Sequence, residues 1–164
     1  MNTAVKVNIR HLENKNVHLE GEITPGELEL TDVDELIHVN EPLRYELEVE
    51  QNGQNLLVTG RLALTLDCEC VRCLRPVEQN IVLDPYNALV PLEGEDAAPV
   101  VNDLVDLTPF IREDILLAFP QHPLCESECG GLKNRPASGA KDFAGADQTE
   151  ETSSAWAELD KLKL

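Results

Sequence analysis

The chain has 164 residues, 31 of them Asp or Glu and 13 Lys or Arg, for a net charge of −18. That length suits one domain with a sizeable core and a short appendage, while the acidity argues against DNA or broad nucleic-acid binding, because phosphate backbones are held by Lys and Arg that displace counterions. No stretch approaches the roughly 20 apolar residues of a membrane helix, and Met1–Arg10 alternates Val5, Val7 and Ile9 with polar residues rather than forming a leader, so a soluble cytoplasmic protein is expected.

The first two-thirds reads as strands. Short candidates are Val5–Ile9, Val17–Glu20 and Glu27–Leu30, and Val33–Val39 fits either a strand or a helical turn. In Leu43–Val49, Leu43, Tyr45, Leu47 and Val49 alternate with polar residues, and Leu62, Leu64 and Leu66 share one face further on. Gln51-Asn52-Gly53-Gln54 between them is a hairpin signal, so a long antiparallel hairpin with one buried face is predicted. Asn80–Leu83 is a further short strand, and Pro91–Asn102, acidic and rich in Ala and Pro, reads as an exposed loop.

One helix is expected from near Asp106 or Thr108 to just before Pro120. Thr108 is its N-cap candidate and Pro109 its first residue. Leu107, Ile111, Ile115 and Ala118, joined by Phe110 and Leu117, would form the apolar stripe, with Arg112, Glu113 and Asp114 on the wet side. Pro120 and Pro123 stop it. Residues 133–153 have the composition of a flexible linker, and 154–164 place Trp156, Leu159 and Leu162 at a spacing of three, a short amphipathic edge too brief to hold a helix unaided. The predicted class is therefore α+β: an antiparallel β-rich domain over 1–132 with one main helix, then a flexible tail and a short terminal helix.

Charge is distributed unevenly. Residues 1–60 carry −8 and 81–132 carry −9, whereas 61–80 are neutral. That neutral block holds Arg61, Arg72 and Arg75 with Cys68, Cys70 and Cys73; Cys125 and Cys129 complete the five cysteines. Cys70-Val71-Arg72-Cys73 and Cys125-Glu126-Ser127-Glu128-Cys129 each have a spacing that lets one turn offer two sulfurs, and two such pairs make a closed four-thiolate zinc site. Against zinc stand the lack of a knuckle-opening Gly and the nearby charge of Glu126 and Glu128; the alternative is a set of reduced thiols. Cys68 shares the parity of Leu62, Leu64 and Leu66 and reads as a small buried hydrophobe, a parity Cys70 shares. Arg72 and Arg75 could meet RNA phosphate or merely offset Asp67, Glu69 and Glu78. His122, between two prolines, reads as an exposed loop residue. No phosphate loop, nucleophile elbow or His-Glu-x-x-His pattern is present, so no enzyme is indicated.

The run Cys70-Val71-Arg72-Cys73-Leu74 after a hairpin resembles the Cys-x-Arg-Cys signature of the YceD family, the large ribosomal RNA subunit accumulation proteins. Val105–Pro120 resembles that family's helix, Cys125–Leu132 its later cysteine turn, and Trp156–Lys163 its terminal segment. The resemblance implies a non-enzymatic bacterial or plastid ribosome-biogenesis role that supports accumulation of large-subunit ribosomal RNA. It also implies association with large-subunit precursor particles and with a small zinc-binding ribosomal protein. One departure is that Gly131-Leu132 leads to Lys133 without a further cysteine pair, leaving Cys70, Cys73, Cys125 and Cys129 as the candidate ligands. Arg72, Arg75, Trp156, Leu159 and Leu162 are the candidate contacts to RNA or a protein partner. Two rivals stand beside this reading: an acidic chaperone for a basic ribosomal protein, and a thiol-dependent enzyme.

Overall fold

The computed structural model describes residues 4–134. Its order is β1 (Lys6–Asn8), α1 (Ile9–Leu12), β2 (Val17–Ile23), β3 (Ile37–His38), β4 (Leu43–Asn52), β5 (Asn55–Glu69), β6 (Pro76–Pro91), β7 (Val100–Val101), β8 (Leu104–Asp106) and α2 (Thr108–Leu117), then a 3₁₀ turn over Gly131–Asn134. All strand pairing is antiparallel. The fold is α+β, as the alternation and the lone long helical pattern predict. The expected terminal segment, with Trp156, Leu159 and Leu162, lies outside the described residues, as does all of the linker beyond residue 134.

β5 organises the large sheet. One of its sides pairs with β4 and then, further along, with β3; the other pairs with β6 over nearly its whole length. β2 adds to the free side of β4. The β4–β5 connection is the predicted hairpin, with Gly53 at the first loop position and φ +62°, the place a type II′ turn reserves for glycine. Strand alternation does the rest: Leu43, Leu47, Leu56, Leu62 and Leu66 are fully buried on one face, while Glu20, Glu46 and Glu48 stay exposed on the other.

β6 is much longer than the Asn80–Leu83 predicted. Gly60 pairs with Tyr86 but Leu62 with Leu83, so Arg61 faces two residues, Asp84 and Pro85, across a bulge. Ile81 is buried before the bulge, and Tyr86 and Val90 after it; the inward positions switch from odd to even. The Asp84–Pro85 peptide is cis, and the proline is tolerated because β6 is an edge strand.

The inner face of this sheet shares one hydrophobic cluster with Val5 just before β1, Val7 of β1, Leu28, Leu30 and Ala98 of the loops, and Leu107, Ile111 and Ile115 at α2. Three expectations are corrected here. Glu27–Leu30 is a turn, not a strand: Thr24 and Glu27 bond reciprocally as a capping box, which drives Leu28 and Leu30 inward. Pro91–Asn102 is not simply a loop, because β7 pairs with β8 through Asn102 and Asp103, both at positive φ, the signature of a type I′ turn. Ile9 belongs to α1, started by Asn8, whose Oδ1 accepts from the Arg10 amide.

The helix has its predicted place, with details altered. Thr108 does not cap it: its Oγ1 accepts from the Val5 amide, while Asp106 Oδ1 accepts from the Thr108 amide. Leu117 is 84% exposed, because two residues past Ile115 is about 200° round the helix; Leu116 packs inward in its place. Two residues assigned to the wet side are paired inward: Arg112 donates to the Leu28 carbonyl at 2.9 Å, and Asp114 accepts from the Tyr86 hydroxyl at 2.7 Å.

Tyr86 therefore ties β6 to α2. Burial, then the Asp114 carboxylate, pushes its phenol far above the ordinary value of 10. Tyr86→Phe should cost roughly 2 kcal/mol, since the bond is to a charged acceptor and Asp114 loses its partner; urea unfolding measures it. Because the folded pKa is raised, the stabilisation is complete below pH 10 and is lost as pH rises beyond it. Wild type should lose its advantage over the Phe variant in that alkaline range.

Candidate metal centre

β5 delivers Cys70 one residue beyond its end, where the chain turns sharply. The Leu74 amide donates to the Cys70 carbonyl at 2.8 Å and the Cys70 amide to the Arg75 carbonyl at 2.9 Å, so Cys70 and Cys73 fall on one side of a closed knuckle. Leu74 sits at φ +59°, a conformation costing a residue with a Cβ about 1 kcal/mol. It takes the left-handed place whose missing glycine counted against a knuckle in the sequence. The second knuckle follows α2 after Pro120 and Pro123; the Cys129 amide donates to the Glu126 carbonyl at 3.2 Å, and Gly131 provides the positive φ, +78°, just beyond it.

The two knuckles meet. All four sulfurs of Cys70, Cys73, Cys125 and Cys129 lie within 4.8 Å of one another, with Cys70–Cys129 at 3.8 Å and Cys73–Cys125 at 3.6 Å. Disulfides hold sulfurs at about 2 Å, and these cysteines are free. Four thiolates each about 2.3 Å from one tetrahedral ion stand about 3.8 Å apart, so the observed spacing fits zinc. Cys70, Cys73 and Cys129 are buried, yet they form a cluster separate from the main core, joined among the described residues by Leu124 and Cys125. Its interior is thiols rather than apolar side chains.

Electrostatics set two of the thiols apart. The backbone amide of Cys125 holds the Cys70 thiol down to about 6 against the opposing effect of burial. Burial pushes Cys125 up to about 12, with Cys129 adding to the shift. Cys68 lies in the main core, outside the tetrad, and burial raises its thiol, with Asp67 and Asp34 adding; it is the buried hydrophobe its parity indicates. His122 is exposed, as expected of a residue between two prolines. Arg72 is exposed but engaged: its Nη1 donates to the Cys129 carbonyl at 3.0 Å, an interaction nothing in the sequence marks. Arg75 is exposed on the same knuckle.

A surface hollow lies elsewhere. It measures about 480 Å³ and lies over Gly60 on the outer sheet face, where Arg61 pairs with Asp84 at 3.8 Å. Ten residues of β5 separate it from the thiols, roughly 30 Å. No described helix is long and apolar enough to cross a membrane.

The profile of the family described as large ribosomal RNA subunit accumulation protein YceD matches residues 58–163, more than half of the chain and all four clustered cysteines. The chain belongs to the YceD family. Among curated relatives, an uncharacterized protein of Mycobacterium leprae is 32% identical over 99 residues, 56% of this chain and 46% of the relative. An uncharacterized protein of Mycobacterium tuberculosis is 33% identical over 98 residues, 55% and 47% of the two chains. The match thus spans about half the length of these relatives. No solved structure matches.

Proposed function

We propose that the chain is a non-enzymatic ribosome-biogenesis factor that acts by binding and supports accumulation of large-subunit ribosomal RNA, with one structural zinc stapling the end of β5 to the segment after α2. Family membership over residues 58–163 carries the role, and the spacing of the four sulfurs supports the ion. Zinc bound by Cys70, Cys73, Cys125 and Cys129 supplies no chemistry beyond a rigid crosslink. It fixes Arg75 and the outward N–H groups of Arg72 as the candidate contacts to RNA phosphate. Trp156, Leu159 and Leu162 are proposed as a second edge for a protein partner.

The acid face favours one variant of this reading. Glu20 and Glu46 stand directly opposite on β2 and β4 with Glu48 beside them, while Glu22 is paired with Arg44 at 3.2 Å, an acid-rich patch suited to a basic ribosomal protein. Affinity purification of the full chain at mild salt separates the cases. Large-subunit ribosomal RNA precursors lost on nuclease treatment, and weakened by Arg72→Ala with Arg75→Ala, support direct RNA contact. A basic protein retained after nuclease, and released by salt or by deletion of residues 150–164, supports the chaperone variant. Recovery of neither, with unchanged ribosomal RNA in cells lacking the protein, refutes the proposal.

A further inference from the structure

We infer that Arg72 is the positioning residue of the cysteine tetrad, the latch that keeps the second knuckle closed on the first and so governs how fast the site releases its ion. This rests on the zinc reading above and concerns a residue that binds no metal itself. The knuckles come from segments more than fifty positions apart in the chain, and residues 119–130 contain no helix or strand. Hydrogen bonds from the first knuckle hold the second at two points. The Val71 amide donates to the Pro123 carbonyl at 2.9 Å, which fixes the approach to Cys125. Arg72 Nη1 donates to the Cys129 carbonyl at 3.0 Å, which fixes the exit at the last ligand.

Three further observations converge on Arg72. Cys129 is only 7% exposed and the bond its carbonyl accepts from Arg72 is part-buried, so water would replace the lost donor only in part. A Cβ on Gly131 would come within 3.4 Å of the Arg72 carbonyl oxygen, so the chain leaving Cys129 passes against the Arg72 backbone as well as its side chain. Four thiolates on a dication leave a double negative charge, with Glu126 and Glu128 exposed close by in sequence, and among the described residues the Arg72 guanidinium is a cation that contacts the ligand loop. Arg75 has no hydrogen bond or ion pair from its side chain among the described residues. Groups that orient metal ligands from outside the coordination sphere commonly change metal affinity about 10–100-fold when removed.

The test uses the full-length zinc-loaded protein and its Arg72→Ala, Arg72→Met, Arg72→Lys and Arg75→Ala variants. Zinc release to an excess of a colorimetric chelator is followed over time, and cobalt-loaded samples give the thiolate-to-metal absorption. Arg72→Ala and Arg72→Met, the latter keeping the stem without a donor, should release zinc about 10–100-fold faster with altered cobalt bands. Arg72→Lys should recover part of the loss, and Arg75→Ala should match wild type. Release at the wild-type rate from Arg72→Met, or equal acceleration by Arg75→Ala, overturns the latch. Wild-type protein that holds neither zinc nor cobalt defeats the zinc reading itself, a result distinct from both.

Discussion

Chelation of the purified protein should release about one zinc per chain and melt the two knuckles while leaving the large sheet folded. The reason is the division of the interior. Cys70, Cys73 and Cys129 are buried in their own small cluster, and the hydrophobic core under the sheet contains none of the four clustered cysteines. Among the described residues Leu124 is the one aliphatic side chain packed against that second cluster, so on the zinc reading its closure depends on metal bonds. Amide hydrogen exchange checks this directly: protection should vanish over residues 70–75 and 123–131 and persist in β4, β5 and β6. Cys129→Ser should reproduce the pattern, whereas Cys68→Ser should leave zinc in place, because Cys68 belongs to the main core. Global unfolding on chelation, or thiols that all react while zinc content is zero from the start, would contradict the arrangement.

The second large effect is expected at Gly60. Its φ is +144°, and a Cβ there would lie 2.1 Å from the Glu46 carbonyl oxygen and 2.9 Å from Leu47 Cα. Both obstacles are backbone of the neighbouring strand, so relief requires β4 and β5 to part where Leu47 pairs with Gly60. Gly60→Ala should therefore destabilise by roughly 4 kcal/mol, near the limit for one substitution. Gly26, with nothing within 4 Å of a built Cβ, is the control, and Gly26→Ala should stay within about 0.5 kcal/mol of wild type. Denaturant midpoints of the two variants decide it; equal stability would mean the strands separate at no cost.

The β4–β5 hairpin was legible because every inward residue on β5 from Leu56 to Cys68 keeps one parity, so alternation reads through without a break. β6 was not, since the bulge at Asp84–Pro85 changes the phase of its pattern: Ile81 and Tyr86 face the same way at opposite parity. A single-period reading stops at Leu83. The small β7–β8 hairpin escaped because its strands are two and three residues long, too short for any periodicity. Its turn pair, Asn102-Asp103, was the available signal. Thr24-Pro25-Gly26-Glu27 likewise spells a capped turn, the signal that a strand reading of Glu27–Leu30 passes over.

At the site, spacing singled out the four cysteines that the fold brings together, since two-sulfur turns are local chemistry. What the sequence could not carry was the meeting of Cys70 with Cys129, which depends on how α2 lies against the sheet, or the Arg72 bond to a backbone carbonyl 57 positions away. Leu74 is a related case. A leucine in a place suited to glycine gives no motif, and only the backbone angle reveals the knuckle.

The open side of β6 has a bearing on solubility. Among the described residues no strand pairs with it beyond β5, and a bare edge of sixteen residues would ordinarily invite another chain to add on and seed aggregation. Pro85 removes a donor midway and the bulge bends the ladder there, with Pro76 and Pro91 bounding the two ends. An incoming strand can therefore register with only a short half of the edge at a time, and the molecule can keep an exposed Val82 and Leu89 without templating its own copies.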